Sequence, residues 1–296
     1  MNLLQAIIMG IVQGLTEFIP ISSSGHLIIA SRLVGLFEGD AMRAQETTAT
    51  IAVLQLGTLI AVLIYFVKDI VNITIGFARD NIALITGKRK EVLTGNHPFG
   101  FSQDAWLGWL VILGSIPIGL VGLILKKQIE GAFTKNLWVI ATMMVVIALV
   151  LIVAEAVSAK RKSIEELGIG DALAVGFAQV LSLIPGTSRS GSTIMAGLFA
   201  GQTRETAARF SFLLSIPAIA ASGLLEMKEA IGVLPKETLV PLIVGTIVSG
   251  VVGYASIWFL LKYLRTRSLG IFIGYRLIVG VAILVLLYLG VIAPQG

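Results

Sequence analysis

Six apolar segments recur along the chain, and each is long enough to cross a lipid bilayer as a helix of roughly 20 residues. Of the 296 residues, 56% are hydrophobic and 13% are charged, with a mean hydropathy of +0.94. A soluble domain carries about twice that share of charged residues. The sequence therefore predicts an all-α polytopic membrane protein. The six predicted full transmembrane helices are 46–66, 106–125, 137–156, 206–226, 239–261 and 271–292.

The composition excludes several other kinds of protein. The chain has no cysteine, which rules out disulfides, thiolate metal sites and redox chemistry through sulfur. Its net charge of +5 comes from Lys and Arg in short runs between apolar segments, which indicates membrane topology and not a nucleic-acid-binding face. No basic region precedes the first apolar stretch and no small-residue cleavage pattern follows it, so we expect no removable signal peptide.

Two further apolar regions, 3–37 and 172–201, are interrupted halfway by Pro, Gly and Ser residues. The interruptions lie at 20–25 and 185–191, and each half is too short to span a bilayer. Proline ends a helix, and the serines and glycines that follow favour a turn and a new N-cap. Each region is therefore predicted to be a re-entrant hairpin of two half-helices.

The two interrupted regions also resemble each other at a constant offset of 166 residues. The matched pairs are Gly10 with Gly176, Gln13 with Gln179, Leu15 with Leu181, Ser22 with Ser188, Ser24 with Ser190 and Gly25 with Gly191. Three full spans follow each hairpin, and an odd number of crossings inverts the second copy. We therefore predict a single membrane domain, 1–296, built from an inverted repeat with copies at about 1–158 and 172–296. The hairpins would meet near the midplane of the bilayer.

Lys and Arg are divided unevenly between the loops on the two sides. One side carries twelve of them, including Lys88 in the long loop 67–105, and the other carries seven, including Arg32. The positive-inside rule makes the first side cytoplasmic. Both termini and the mouth of the first hairpin are then predicted to face outward.

The two hairpins contain polar groups that can handle phosphate. The first reads QGLTEFIPISSSGH over 13–26 and the second reads PGTSRSGS over 185–192. Ionisable groups at membrane depth are costly and usually functional, and Arg189 needs an anionic partner there, which phosphate or Glu17 could provide. Both turns precede a helix, so 22–25 and 188–191 offer backbone N–H groups to an anion. The sequence therefore predicts a phosphate pocket.

This pair of motifs, QGLTEFIPISSSGH and PGTSRSG, resembles the signature of the undecaprenyl-diphosphate phosphatase family associated with bacitracin resistance. The segments IAVLQLGTLIAV, RFSFLLSIP and YRLIVG stand where that family has its other recognisable segments, so the resemblance covers the whole chain. It implies a hydrolase of the bacterial inner membrane, and the loop charges place its active site on the outer side. That hydrolase removes the terminal phosphate of the polyprenyl diphosphate carrier and yields undecaprenyl phosphate for peptidoglycan synthesis.

Carried over by position, the resemblance implies four catalytic residues, Glu17, Ser23, His26 and Arg189. It implies that the phosphate site is lined by Ser22, Ser24, Ser188 and Ser190, and the predicted substrate-binding set also includes Gln13, Gly25, Thr187 and Gly191. It further implies a divalent cation, magnesium or calcium, with Glu17 as the expected ligand. The expected partners are the polyprenyl diphosphate and membrane lipids, with a homodimer as a further option and no nucleic acid.

Two positions depart from the pattern of some family members. Gln13 stands where those members have a second glutamate, and Ile51 stands where they have an acidic residue. Gln13 can hydrogen-bond a phosphate or a metal-bound water, but it cannot act as a base. The sequence therefore does not support a mechanism with two carboxylates.

The residue chemistry agrees with phosphoryl transfer. This reaction needs an arginine fork on the non-bridging oxygens, a nucleophile in line and a proton donor for the leaving oxygen, which Arg189, Ser23 and His26 can supply. A serine nucleophile needs a base, and either Glu17 or His26 could take its proton. The sequence also leaves open whether Ser23 or His26 attacks the phosphorus.

Several of these residues have plainer interpretations. Glu17 could be only the buried counter-ion of Arg189, His26 could be a helix cap, and the serines of the turns could be N-caps. Arg209 and Arg276 lie near the ends of their spans, where snorkelling towards lipid headgroups is the ordinary role. We therefore leave both of these arginines out of the predicted site.

A secondary transporter or lipid flippase is the main alternative function, because inverted repeats with broken helices are typical of transporters. Weak, reversible binding uses backbone carbonyls and helix ends, whereas a hydroxyl, an imidazole, a carboxylate and an arginine together favour bond cleavage. The other class of lipid phosphatase has similar SGH and SR elements. It is excluded because Met195 stands where its pattern requires a histidine, six residues after Arg189.

Overall fold

The computed structural model describes residues 1–36, 41–88, 95–125, 136–230 and 236–294. Within these residues the chain is helical, and its only β-type pairing is an isolated bridge between Lys162 and Gln202. The α-helices are α1 (Leu3–Phe18), α2 (Ser23–Leu33), α3 (Ala41–Tyr65), α4 (Val67–Ile85), α5 (Gln103–Ile124), α6 (Leu137–Val157), α7 (Ile169–Val180), α8 (Arg189–Phe199), α9 (Arg204–Ala230), α10 (Leu239–Leu264) and α11 (Gly270–Tyr288). Short 3₁₀ turns lie at Pro98–Gly100, Ile164–Glu166, Leu181–Leu183 and Lys236–Thr238.

Five of the described helices are long and apolar enough to cross a membrane, namely α5, α6, the Arg204–Leu225 part of α9, α10 and α11. The Ala49–Tyr65 part of α3 and the whole of α4 pass the same test as a pair, but they are bent by 70°. The prediction of an all-helical polytopic membrane protein is therefore confirmed. The prediction that 67–105 is a loop is wrong, because α4 continues the chain as a 19-residue helix after the bend.

Both interrupted regions fold as two short helices separated by a turn. In the first region α1 ends at Phe18, just before Pro20, and α2 begins at Ser23. In the second, α7 is followed by a short 3₁₀ turn, and α8 begins at Arg189. Entry of these hairpins into a membrane from opposite faces stays a prediction, as do the boundaries of the two repeat copies.

The two turns share an unusual backbone conformation at their N-cap serines. Ser22 has φ +80° and Ser188 has φ +69°, a left-handed region that side-chain-bearing residues rarely occupy. Each serine hydroxyl accepts a hydrogen bond from the backbone N–H three residues later, at Gly25 and Gly191 respectively. Such strain tends to persist at functional sites, where the surrounding structure holds it in place.

The first helix of each hairpin packs on a long helix through glycine. A Cβ atom at Gly10 in α1 would lie 2.4 Å from the carbonyl oxygen of Gly245 in α10. A Cβ atom at Gly176 in α7 would lie 2.3 Å from the carbonyl oxygen of Gly114 in α5. Close packing of this kind is how helices associate in membranes, where apolar burial against lipid gives little driving force. Gly10 and Gly176 are matched positions of the repeat, so both copies use the same packing device.

Aromatic rings connect the first hairpin to the rest of the core. The buried ring of Phe18, at the end of α1, meets the ring of Phe212 in α9 edge to face, with 5.3 Å between centroids. Phe66, at the bend between α3 and α4, meets Phe212 from another direction at 6.3 Å. The end of α1 is therefore packed against α9 immediately before the turn that leads to α2.

The glycine contacts predict a difference between glycines that look alike in the sequence. Gly10→Ala and Gly176→Ala should each destabilise the protein by about 1–3 kcal/mol, because the added methyl meets a backbone carbonyl that cannot rotate away. Gly122→Ala in α5 is the matched control, since nothing lies within 4 Å of its Cβ position. Thermal unfolding in detergent measures the effect. A Gly176→Ala variant as stable as the Gly122→Ala variant would contradict the packing described here.

Candidate active site

The turns of the two hairpins lie side by side. The hydroxyl of Ser24, in the first turn of α2, accepts a hydrogen bond of 3.2 Å from the backbone N–H of Gly186 in the second turn. Gly186 has φ +88°, and a Cβ atom there would lie 2.2 Å from the carbonyl oxygen of Ile140 in α6. Only glycine fits this position, so the second turn can approach both α6 and the first turn.

Arg276 is a central structural residue, and the prediction that it snorkels to the headgroups is wrong. Its side chain is fully buried, and it donates hydrogen bonds to the carbonyl oxygens of Pro20 (3.2 Å), Gly186 (3.0 Å) and Thr187 (3.1 Å). Two carbonyl oxygens of α6 accept from it as well. The guanidinium therefore ties both turns to α6. The available signal was an arginine within an apolar span, which is functional by default.

Arg209, the other arginine left out of the predicted site, lies away from the two turns. Arg209 in α9 forms an ion pair of 2.5 Å with Asp69 at the start of α4, and both side chains are partly exposed. Neither of these residues lines the cleft described below. Leaving Arg209 out of the site therefore agrees with the structure.

An ion pair joins the two hairpins across the site. A guanidinium nitrogen of Arg189, at the start of α8, contacts Oε1 of Glu17, near the end of α1. The Glu17 side chain is 5% exposed and that of Arg189 is 15% exposed. Gln13, one helical turn before Glu17, donates to its Oε2 at 3.1 Å and to the hydroxyl of Thr58 at 3.3 Å. The sequence offered phosphate or Glu17 as the anionic partner of Arg189. In this structure the partner is Glu17.

Ser23 and His26 lie in the first turn of α2. Positions three apart on a helix share a face, so these two side chains are neighbours. The Ser23 hydroxyl is half-buried and has no hydrogen-bond partner among the described residues. His26 Nδ1 lies 2.7 Å from the carbonyl oxygen of Ser22, and Nε2 lies 2.8 Å from the hydroxyl of Tyr275. Within the described chain, neither His26 nor Glu17 contacts the Ser23 hydroxyl directly.

Two of the backbone N–H groups predicted to bind an anion are already hydrogen-bonded to the N-cap serines. Gly25 N–H and Gly191 N–H donate to the hydroxyls of Ser22 and Ser188, so each is satisfied within its own turn. The first amides of a helix have no partner inside the helix. Among the described residues, the amides left without a partner at the two helix starts are those of Ser23, Ser24, Arg189 and Ser190.

Two other predicted site residues lie in the second turn. The hydroxyl of Ser190 lies 3.2 Å from that of Ser188, just as the hydroxyls of Ser22 and Ser24 lie 3.3 Å apart in the first turn. Thr187 is fully buried, and its hydroxyl has no partner within the part of the chain that the structure describes. Its carbonyl oxygen accepts from Arg276 instead, so Thr187 helps to fix the turn.

A small cleft of about 10 Å³ lies beside the ion pair. It is lined by Glu17, Phe18, Arg189, Ser190, Ser211, Phe212, Ser215 and Ile219. Ser211 and Ser215 come from α9 and were not predicted as site residues. Ser211 Oγ lies 2.5 Å from the hydroxyl of Thr193, and Ser215 donates to the carbonyl of Phe212. The signal in the sequence was a pair of hydroxyls one helical turn apart in the apolar segment RFSFLLSIP.

The residues around the cleft fit a divalent cation only in part. The described residues contain no group of three or more His, Cys, Asp or Glu that could hold a metal ion. Glu17 is the one carboxylate that lines the cleft, and its two oxygens face Arg189 and Gln13. Magnesium is often held by one or two carboxylates together with the phosphates of a substrate. A cation therefore fits here if phosphate oxygens complete its ligand set.

The fold defines a polytopic membrane protein in which an arginine, a carboxylate, a histidine and several hydroxyls lie at the junction of two broken helices. Residues 6–282 match the family described as bacitracin resistance protein BacA, and the chain belongs to this family. It is 47% identical over 284 residues to an undecaprenyl-diphosphatase of Syntrophobacter fumaroxidans, covering 96% of this chain and 97% of that protein. It is 46% identical to that of Chloroherpeton thalassium (98% of each) and 44% identical to that of Mycolicibacterium gilvum (99% of each).

The ion pair predicts that a lysine cannot replace Arg189. Lysine keeps the charge but loses the planar two-donor fork that matches phosphate. Arg189→Lys should therefore lower kcat/KM for a polyprenyl diphosphate about a hundredfold, a loss of roughly 3 kcal/mol in transition-state stabilisation. Arg209→Lys is the matched control and should stay near wild-type activity. If Arg189→Lys retained activity within a few-fold of wild type, Arg189 would not be the phosphate clamp.

Proposed function

We propose that this chain is an undecaprenyl-diphosphate phosphatase, which hydrolyses the terminal phosphate of the lipid carrier and so recycles it for cell-wall synthesis. The observation that supports this most strongly is the meeting of the two turns, which brings Arg189 to Glu17 and places Ser23 in the adjoining helix start. The relatives carry the name undecaprenyl-diphosphatase over the full length of the chain. Recycling of the carrier also accounts for resistance to bacitracin, after which the family is named.

In this proposal, the substrate first exchanges partners with the ion pair. The terminal phosphate binds to the fork of Arg189 and to the unpartnered amides at the starts of α2 and α8, where the helix dipoles favour an anion. Arg189 thereby keeps an anionic partner while Glu17 is released from it. The hydroxyls of Ser22, Ser24, Ser188 and Ser190 border the same turns and orient the phosphate.

Ser23 then attacks the terminal phosphorus. A bond forms between Ser23 Oγ and phosphorus, the bond from phosphorus to the bridging oxygen breaks, and undecaprenyl phosphate leaves with the bridging oxygen. We assign the proton of Ser23 to His26, its neighbour on the same helical face. Water hydrolyses the phosphoserine in a second step, with the same imidazole as its base, and inorganic phosphate leaves.

A divalent cation is part of the proposal, with Glu17 as its protein ligand. When bound, magnesium or calcium would neutralise charge on the diphosphate. Gln13 holds the Glu17 carboxylate in place, and its own amide oxygen can hydrogen-bond a metal-bound water. Arg189 next to Glu17 disfavours a cation until phosphate arrives, so we expect the cation and the diphosphate to bind together.

A transporter or lipid flippase is not favoured. The family and the relatives are those of a phosphatase, and a half-buried imidazole beside an unpartnered serine hydroxyl serves bond cleavage better than reversible binding. A homodimer remains part of the proposal only as an expectation from the sequence.

The proposed function predicts that purified protein in detergent releases inorganic phosphate from undecaprenyl diphosphate and stops when a chelator is added. Ser23→Ala should abolish turnover while the substrate still binds, because no neighbour can replace an in-line nucleophile. Ser22→Ala and Ser24→Ala should be milder, since positioning groups act together around an anion. Rapid quenching should trap an acid-stable phosphoserine. An acid-labile adduct, or substantial turnover by Ser23→Ala, would instead make His26 or an activated water the nucleophile.

We also propose that the protein lies in the bacterial inner membrane with its active site facing outward. A cysteine introduced at Gly39, which lies outside the described residues, should then react with an impermeant thiol reagent in intact cells. A cysteine at Lys88 should react only after permeabilisation. The chain has no cysteine of its own to interfere. The reverse pattern would overturn the orientation but not the enzymatic assignment.

A further inference from the structure

Among the described residues, Tyr275 is the one side chain outside the two hairpin turns that hydrogen-bonds to the His26 ring and stacks on it. The tyrosine hydroxyl lies 2.8 Å from His26 Nε2. The two rings also stack, with 5.5 Å between centroids and 17° between planes. Tyr275 belongs to α11, so this contact joins residues 249 positions apart in the chain. Its residue surface is 41% exposed.

The hydrogen bond of Nδ1 determines which atom donates in the contact between Nε2 and Tyr275. His26 Nδ1 faces the carbonyl oxygen of Ser22 at 2.7 Å, and a carbonyl oxygen can only accept a hydrogen bond. Nδ1 must therefore carry a proton. In the neutral imidazole the second nitrogen, Nε2, then holds the lone pair and accepts from the Tyr275 hydroxyl. The structure fixes one tautomer of His26 and aims its basic nitrogen at Tyr275.

We infer that Tyr275 is a positioning residue for His26. Stacking sets the plane of the imidazole, and the hydroxyl bonds to Nε2 in its unprotonated form. This hydrogen bond must open before Nε2 can accept the proton of Ser23. This inference deepens the proposed function and rests on it, because it specifies how the proposed base is oriented. In a catalytic triad the orienting group bonds the nitrogen that does not take the proton, and here the Ser22 carbonyl has that place at Nδ1. Tyr275 orients the ring from the Nε2 side.

The charged groups around His26 support this role. Arg276 adjoins Tyr275 in the chain and points into the two turns, where it donates only to backbone carbonyls. Glu17 and Arg189 are paired with each other, so neither carboxylate nor guanidinium bonds to the imidazole. A neutral hydroxyl and a backbone carbonyl are thus the two hydrogen-bond partners of the His26 ring among the described residues.

The first test detects the hydrogen bond between Tyr275 and His26 by NMR and does not depend on enzymatic activity. The chain has two histidines, so selective ¹⁵N-histidine labelling gives few signals, and a His97→Gln variant assigns them. In wild type we expect His26 with a protonated Nδ1 and an unprotonated Nε2. Tyr275→Phe keeps the stacked ring but removes the hydroxyl, so the Nε2 resonance should shift while Nδ1 stays protonated. An unchanged Nε2 resonance would overturn the inference.

The second test separates positioning from packing. Tyr275→Phe should lower kcat for undecaprenyl diphosphate about tenfold with KM within about twofold, the effect expected from losing one neutral hydrogen bond at the base. Tyr275→Leu, which also loses the stacking, should be lower still. Tyr288→Phe is the matched control, since Tyr288 ends the same helix and is 83% exposed. Wild-type kcat for Tyr275→Phe, or a loss confined to KM, would refute the positioning role.

The two tests also distinguish this inference from the proposed function. If wild-type protein hydrolyses no diphosphate while the Nε2 resonance still responds to Tyr275→Phe, the contact stands and the phosphatase assignment fails. If wild type is active and the resonance and kcat are both unchanged in the variant, the assignment stands and the inference about Tyr275 fails.

Discussion

The buried guanidinium of Arg276 is the interaction on which the site depends. A broken helix leaves backbone carbonyls without their usual partners, and in a membrane no bulk water is present to satisfy them. Arg276 meets three such carbonyls in the two turns and two further carbonyls within α6, all at distances of 3.0–3.3 Å. Burying a charge costs several kcal/mol unless its donors are used, and here the fixed fork of donors is matched to a fixed set of acceptors. One residue of α11 therefore makes two adjacent helix breaks tolerable.

The two turns share a backbone conformation at Ser22 and Ser188 but carry different side-chain chemistry. At the offset of 166 residues, Ser23 corresponds to Arg189, and Glu17 corresponds to Leu183. The same left-handed turn thus presents a hydroxyl in one copy and a cation in the other. Gln179, the counterpart of Gln13, is fully buried and its amide has no partner in the described structure. In the proposed site, the carboxylate and the hydroxyl therefore come from the first hairpin and the arginine from the second.

Local features of the fold and site could be predicted from the sequence, whereas long-range contacts could not. Proline, serine and glycine at 20–25 and 185–191 determine where the helices break, because these preferences act within a few residues. The 70° bend after Tyr65 is not marked by proline or glycine, and the charged residues Lys68 and Asp69 that follow it indicate the end of a span and not a bend. The roles of Arg276 and Tyr275 depend on where α11 packs, and a hydropathy pattern cannot show this. Position near a span end suggested snorkelling for Arg276, but tertiary packing buried it completely.

The ion pair between Glu17 and Arg189 explains how a buried cation can be both stable and ready to bind phosphate. Removing one partner of a buried pair costs about 3–5 kcal/mol, because the remaining charge is left uncompensated. Exchanging the carboxylate for a phosphate keeps Arg189 paired and moves this cost to the carboxylate of Glu17. The released Glu17 becomes an uncompensated anion at the moment when a second positive charge is most useful. The same exchange that admits the substrate therefore creates the place for a divalent cation, which reconciles a single carboxylate in the cleft with the metal dependence proposed for the enzyme.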